Sequence, residues 1–331
     1  MQHVGIDVSA KSLTVCFAAP CGKRETFTID NTAQGHQKLV RRLTGKRRIT
    51  RVALEASGNY GLDVTLTLAA AEGIELMSVN PRVARDFARA HCSRSKTDAV
   101  DAEVLLEYVQ RMAFVPYQPP GSERLQLRCL TRRLDELTQQ RAAEKARLHA
   151  AGLSKALSRA VVRSLKAHIR FLDKHIETQQ EQALALIRCH QELHQEFRLI
   201  CSVPGFATKS ALRLLGELCV LPADMSNRQW VAYAGLDPVH HQSGSSVHKP
   251  ARISRRGHAG LRANLFLSAM CASTHNAHVR AYYQQLCQRG KKPLQALVAV
   301  MRKLLHAIHG MLKNRTPFEG AKFRQLAPAT P

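Results

Sequence analysis

Residues 3–8, HVGIDV, followed by LTVCFAA at 13–19 and RETFTID at 24–30, decide the fold class of this chain. Each is a short run rich in β-branched and aromatic residues, and polar stretches able to turn, Ser9 to Ser12 and Pro20 to Lys23, separate them. This spacing predicts three antiparallel strands. One residue does not suit a core strand: Asp7 puts a carboxylate among apolar neighbours, and burying an ionised carboxylate is costly without a partner or a metal.

Beyond these runs, a helical pattern covers about Ala33 to Leu43, a strand covers 51–55 (RVALE), a helix covers about Tyr60 to Glu72, and a strand at 74–79 is ended by Asn80-Pro81. A last helix begins with Thr97 as N-cap and runs through DAVDAEVLLEYV, until Pro116, Pro119 and Pro120 close the domain. The order βββαβαβα is that of an RNase H-like domain, expected over residues 1–120.

In that order Asp7 falls within the first strand and Glu55 ends the strand that pairs beside it. Asp98 and Asp101 sit at i, i+3 on one helix face. Acids so placed can converge at one sheet edge, where their hard oxygens suit Mg²⁺ or Mn²⁺; two such ions about 4 Å apart activate a phosphodiester. An acid in a first helical turn, such as Asp98, is also a favourable partner for the helix dipole, so the strand carboxylates carry the metal reading.

From Glu123 to about Leu193 the chain is charged and poor in Gly and Pro. Leu127, Leu130, Leu134 and Leu137, then Val162, Leu165, Ile169, Leu172 and Ile176, recur at alternating three- and four-residue steps. That is the seam of a helical hairpin or coiled coil, expected over 121–195 and open to either an intramolecular or an oligomeric partner. Residues 196–331 form a third, mostly helical region. In it ICSVPGFATKSALRLLGEL (200–218) has the form of a helix-hairpin-helix, in which Gly205 allows backbone approach to a phosphate and Lys209 lies in the following helix.

Further on, HHQSGSSVHKPARISRRGHAGLR (240–262) places Ser243-Gly244-Ser245-Ser246 in a loop shortly before Lys249, Arg252, Arg255, Arg256 and Arg262. A serine in a Gly-containing loop is ordinarily turn chemistry. A serine that attacks a phosphodiester needs cations to hold the phosphate and absorb developing charge, and here five follow it. His241 is a candidate base for it. The stretch from Pro238 to Phe318 holds 13 Lys and Arg and no Asp or Glu.

Composition agrees. With 331 residues and 45% apolar content the chain suits a folded, multidomain protein, and its formal net charge of +24 favours a polyanionic partner. No apolar run approaches the roughly 18 to 20 residues of a membrane span, and Met1 to Val8 reads as a strand rather than a signal peptide, so a cytoplasmic protein is expected. Nine cysteines without a Cys-x-x-Cys pair disfavour a disulfide framework or a zinc ribbon. The clusters Cys189/His190/His194 and His275/His278 lack further ligands at zinc spacing.

The combination GIDVSAKSL, LEASGNY, SKTDAVDAEVL, SVPGFATKSA, AYAGLDP, SGSS and ISRRGHAGLR, in this order from about Gly5 to Phe318, closely resembles the DEDD-type insertion-sequence transposases, also called bridge-RNA-guided recombinases. The resemblance implies a RuvC-like N-terminal domain, a coiled-coil connector and a C-terminal transposase domain. It implies catalytic acids at Asp7, Glu55, Asp98 and Asp101 holding Mg²⁺ or Mn²⁺, and a nucleophile at Ser243, with Ser245 and Ser246 as neighbouring hydroxyls. It further implies donor and target DNA as substrates, a non-coding guide RNA that reads sequence, and dimers assembling into a tetramer whose sites combine the acids of one protomer with the serine of another. Such a protein would work at the nucleoid of a prokaryote.

Two other readings fit the residues. A RuvC-like endonuclease would cleave branched DNA with the acids alone, leaving Ser243 dispensable, and an architectural DNA- or RNA-binding protein would cleave nothing. An actin-like sugar kinase also begins with a GID strand, but a second Gly-rich phosphate loop is missing from the sequence.

Overall fold

The computed structural model describes residues 1–18, 23–45, 49–55, 58–91, 97–153, 159–243 and 247–325, with the backbone alone at 241, 243 and 247–250. The chain divides into two compact units, Met1–Pro119 and Pro120–Pro331.

The first unit is a five-stranded mixed sheet flanked by helices, an RNase H-like pattern. Strands β1 (Gln2–Val8), β2 (Ser12–Ala18) and β3 (Arg24–Asp30) form an antiparallel meander, and β4 (Thr50–Glu55) and β5 (Ile74–Val79) extend it in parallel on the other side of β1, in the order β3-β2-β1-β4-β5. The meander follows from short loops, and the parallel strands from the helices between them: α1 (Ala33–Thr44) and α2 (Asn59–Ala69).

Alternation along the strands sorts side chains onto two faces. Val4, Ile6, Val8, Val52 and Leu54 pack with Leu39, Leu43, Val64 and Leu68 of α1 and α2. On the opposite face Ala53, Met77 and Val79 meet Leu105 and Val109 of α4 (Asp98–Arg111), while Cys16 meets Ala102 and Leu106.

The sequence reading omitted one helix. After β5, α3 runs over Pro81–Ala90, with the Asn80 side chain accepting a hydrogen bond from the Arg82 amide at 2.9 Å. Asn80-Pro81 does end the strand, but asparagine at the N-cap and proline at the first helical position also start a helix. Thr97 caps α4 as expected, its hydroxyl accepting from the Val100 amide at 3.3 Å.

The second unit is largely helical. Helices α5 (Ser122–Gly152) and α6 (Arg159–Cys189) pack along one another, burying Leu127, Leu134, Leu137, Ile169, Leu172 and Ile176 within a single chain. Except for Ile169, that leucine and isoleucine seam belongs to one core shared with α7 (Gln191–Cys201), α8 (Thr208–Leu218), α9 (Asn227–Tyr233), α10 (Ala259–His275), α11 (Ala277–Gln288) and α12 (Pro293–Asn314). A short α13 (Gly320–Phe323) adds Phe323 to it. No described helix is long and apolar enough to cross a membrane.

The second unit also contains a two-stranded ribbon, β6 (Pro238–Ser243) and β7 (Val247–Ile253), in a segment expected to be loop. Its strands carry His, Gln, Lys and Pro, which do not advertise a strand by propensity.

Helix α4 lies unusually close to the sheet. A Cβ built on Gly5 would meet the Ala102 carbonyl oxygen at 2.1 Å and the Leu106 amide nitrogen at 2.3 Å. Gly5→Ala is therefore expected to push α4 off β1 and cost about 1–3 kcal/mol, read as a lower urea midpoint by circular dichroism; an unchanged midpoint would show that the contact is dispensable.

Candidate functional site

Four carboxylates share one end of the sheet. Asp7 lies on β1 in the same alternation as Gly5, so it belongs to the face that α4 covers. Gly5 pairs with Ala53 and Ile6 with Leu54 in parallel register, which brings Asp7 level with Glu55 at the end of β4. Asp98 and Asp101 occupy the first turn of α4. The glycine contact sets how near that turn comes to β1.

The electrostatics record this convergence. Asp7 is pushed up to about 6, first by burial and then by the charges of Asp101, Asp98 and Glu55, against one hydrogen bond from the Val8 backbone. Residues distant in sequence thus act on one carboxyl. Among the described residues, however, no group of three or more His, Cys, Asp or Glu is drawn close enough to hold a metal ion together. The two facts are compatible, because charge repulsion acts over many ångströms whereas coordination of a small divalent cation requires oxygens at about 2.0–2.1 Å. An all-carboxylate donor set fits a hard divalent cation by charge.

A second set of charges holds α4 in place. Arg24 of β3 pairs with Glu103 and Glu107, and Glu107 also takes His91 and Arg111 at 3.2 Å each. Burial raises the Glu107 pKa, but Arg24 above all, with Arg111 and His91, outweighs it and holds the carboxyl below its usual range.

The serine segment sits in the other unit. Ser243 is the last residue of β6 and pairs with Val247 of β7; Gly244, Ser245 and Ser246 lie outside the described residues. Lys249 lies on β7 in register with His241.

The base of this ribbon is fastened through backbone. Ser254 N–H donates to Asp237 O at 2.8 Å, Arg255 N–H to Gly235 O at 3.1 Å, and His258 N–H to Tyr233 O at 2.7 Å. A Cβ on Gly257 would stand 2.1 Å from the Tyr233 carbonyl oxygen, so only glycine admits the approach. Arg255 itself takes a left-handed φ of 53°. Arg252, Arg255 and Arg256 are exposed, while Arg262 donates from Nη1 to the Ala234 carbonyl at 3.0 Å, tying α10 to the end of α9.

Sequence reasoning missed the anchor beneath. Glu217 on α8, 5% exposed, accepts from Arg132 Nε at 2.7 Å and Nη2 at 3.0 Å, and from the Tyr233 hydroxyl at 3.3 Å. His258 lies 3.5 Å from it, and its Nδ1 accepts from the Leu261 amide at 3.0 Å, capping α10. Burial raises the Glu217 pKa, but the Arg132 hydrogen bonds, with His258 and Arg128, hold it below the usual carboxylate range. The only sequence signal was a Glu inside the apolar run ALRLLGEL.

Gly205, with φ of 86°, joins α7 to α8, and a Cβ there would meet the Ser268 carbonyl of α10 at 2.2 Å. This glycine is required by packing as well as by turn geometry. Lys209 is exposed in the first turn of α8.

A model described as Transposase, DEDD_Tnp_IS110, matches residues 4–156, and one described as Transposase IS116/IS110/IS902 family matches 197–284. The chain is 28% identical over 321 residues to the pilin gene-inverting protein of Moraxella bovis, covering 96% of this chain and 97% of that one. The protein of the same name from Moraxella lacunata is 27% identical over the same shares. An uncharacterized 43.6 kDa protein of insertion element IS110 from Streptomyces coelicolor is 30% identical over 142 residues, 43% of this chain and 35% of that protein.

Two outcomes follow from the charges. Asp7 is raised from an unfolded value near 3.8 to about 6, so its ionisation weakens the fold progressively between those pH values and fully above about 6. Without divalent cations, Asp7→Asn is expected to raise the melting temperature at pH 7 and to lose that advantage near pH 4; a flat difference across this window would refute the repulsion. Arg132→Ala leaves Glu217 buried without its main partner and is expected to cost about 3–5 kcal/mol in denaturant unfolding, with Glu217→Gln recovering part of the loss in the double variant.

Proposed function

We propose that this chain, which matches transposase family models over residues 4–156 and 197–284, cuts and rejoins DNA through a covalent bond to Ser243, assisted by the carboxylates Asp7, Glu55, Asp98 and Asp101. The observation that carries this reading is the convergence of Asp7 on β1 with Glu55 of β4 and with Asp98 and Asp101 of α4, whose charges add to burial in raising the Asp7 carboxyl. A phosphodiester backbone would be repelled by such a cluster of carboxylates unless a cation intervened.

A divalent cation of the Mg²⁺ or Mn²⁺ type, held by these four carboxylates, would supply Lewis-acid stabilisation of charge on the scissile phosphate and the leaving oxygen. Asp7 and Glu55, fixed on neighbouring strands, set the rigid half of that donor set. Asp98 and Asp101, on a capped helix end, set the other half.

At Ser243 the hydroxyl oxygen attacks phosphorus and loses its proton, a serine–phosphate ester forms, and the phosphorus–oxygen bond to the departing strand breaks, leaving a protonated hydroxyl on that strand. One phosphate ester replaces another, so the bond energy is kept for the rejoining step and no external energy source is required. Lys249, Arg252, Arg255 and Arg256 follow the serine on the same ribbon and its exit, where cations can hold the phosphate.

The gene-inverting activity in the name of the Moraxella proteins supports strand exchange over simple hydrolysis. With the acids in one unit and the serine in the other, the site is composite, formed between protomers of a tetramer built from dimers. The three-part organisation 1–120, 121–195 and 196–331 gives each function its own segment, with the α5–α6 hairpin as coiled-coil connector and α7–α8 as a helix-hairpin-helix in which Gly205 and Lys209 contribute to backbone contact, joined by Arg262 of α10. A formal charge of +24 with only 5% aromatic residues suits holding DNA and a guide RNA by their backbones, leaving target choice to base pairing.

The test uses purified protein, Mg²⁺, RNA transcribed from the flanks of the gene and labelled DNA spanning the element junction, resolved on a denaturing gel. Protein-linked DNA is expected, absent in Ser243→Ala and reduced at least about a hundredfold in Asp7→Asn. Cleavage without adduct in Ser243→Ala would favour an acid-only endonuclease, and binding without cleavage in the native protein would favour an architectural role.

A further inference from the structure

On the face of the sheet opposite α4, the first turns of α1 and α2 and the β1–β2 turn enclose a cavity of about 540 Å³. It opens at the same sheet edge as the acids, because β1, β3 and β4 run the same way and all end there. We infer that this cavity takes one unpaired nucleobase carrying an exocyclic amine, adenine, cytosine or guanine, from the strand engaged at the acid pole. The inference rests on the acid pole being where DNA is handled.

The floor is built and rigid. Asn31 donates from Nδ2 to the Ser9 carbonyl at 2.9 Å and the Tyr60 carbonyl at 3.0 Å, and its Oδ1 faces His36 Nε2 at 2.7 Å. His36 is buried, 4% exposed, and its pKa is lowered by burial, so it stays neutral and donates to Asn31. One asparagine thus fixes the β1–β2 turn, α1 and α2 to one another.

The walls carry groups that this network does not use. Gln37, Asn59 and the Asp63 carboxylate line the cavity, and their side chains are not hydrogen-bonded to other described residues; Asp63 acts on His36 only through its charge. At the rim Tyr60 is 63% exposed. Carboxamides pair with an amine and an adjacent ring nitrogen, a carboxylate accepts from an amine, and a tyrosine ring stacks on a base that has left its helix.

The charge of the lining argues against the obvious alternative. In a chain with 49 Lys and Arg, none of the described residues that line this cavity is Lys or Arg, and the lining contains a carboxylate. A phosphate would be repelled there. Guanine also presents an exocyclic amine, beside its N1–H, to a carboxylate once it is unpaired, whereas thymine has no exocyclic amine for Asp63.

The test needs no cleavage. Full-length protein, with divalent cations removed, is titrated against short all-thymine single strands carrying one central adenine, cytosine, guanine or abasic position, followed by fluorescence anisotropy. Adenine, cytosine or guanine is expected to bind about tenfold more tightly than thymine or the abasic position. Asp63→Asn and Tyr60→Ala, checked for unchanged melting temperature, are expected to remove that preference while leaving salt-sensitive binding of the all-thymine strand intact. Equal affinity across the series, or a preference that survives both variants, would overturn the inference. Because no strand is cut, loss or persistence of the serine adduct in the recombination assay leaves this result unaffected.

Discussion

The backbone-on-backbone contact between β1 and α4 at Gly5 is the constraint on which the acid pole depends. Any side chain at that position would collide with the Ala102 carbonyl and the Leu106 amide. With the helix that close, its first turn is carried to the end of β1, and two aspartates arrive beside Asp7. Arg24 of β3 and His91, which meet Glu107, hold the same helix further along, so its approach is fixed at two points. The anionic site is therefore a consequence of packing, and its repulsion is tolerated because apolar contacts on both sheet faces hold the strands together.

The second unit solves a different problem. A two-stranded ribbon is marginal by itself, and this one bears the serine and several cations. Its stability is borrowed from below: the 234–237 turn and the 254–258 segment exchange backbone hydrogen bonds, and His258 reaches the buried Glu217 that Arg132 neutralises. The ribbon can then present polar and basic residues outward without a core of its own.

Charge is distributed unevenly at both scales. A strongly cationic chain keeps an acidic pole and, on the other face of the same sheet, a cavity with no Lys or Arg among the described residues of its lining. Nonspecific attraction to nucleic acid comes from the cations, which release counterions wherever they meet phosphate. The places without cations are where chemistry and base contact can be separated from that attraction.

The sequence by itself determined the alternating strands of the meander, the strands β4 and β5, the Thr97 cap and the presence of acids at strand ends, because these depend on patterns within a few residues. An aspartate in an apolar strand was legible as an anomaly for the same reason. Local pattern failed where one signal has two meanings, as when Asn80-Pro81 both ended β5 and started α3, and where strands are built from polar residues, as in the β6–β7 ribbon. Tertiary structure alone decided that Glu217 meets Arg132, Tyr233 and His258, that Gly205 and Gly257 are held by neighbouring backbone, and that Asn31 closes the floor of a cavity. Those partners lie far apart along the chain, and only packing, which has no sequence period, brings them within hydrogen-bonding distance.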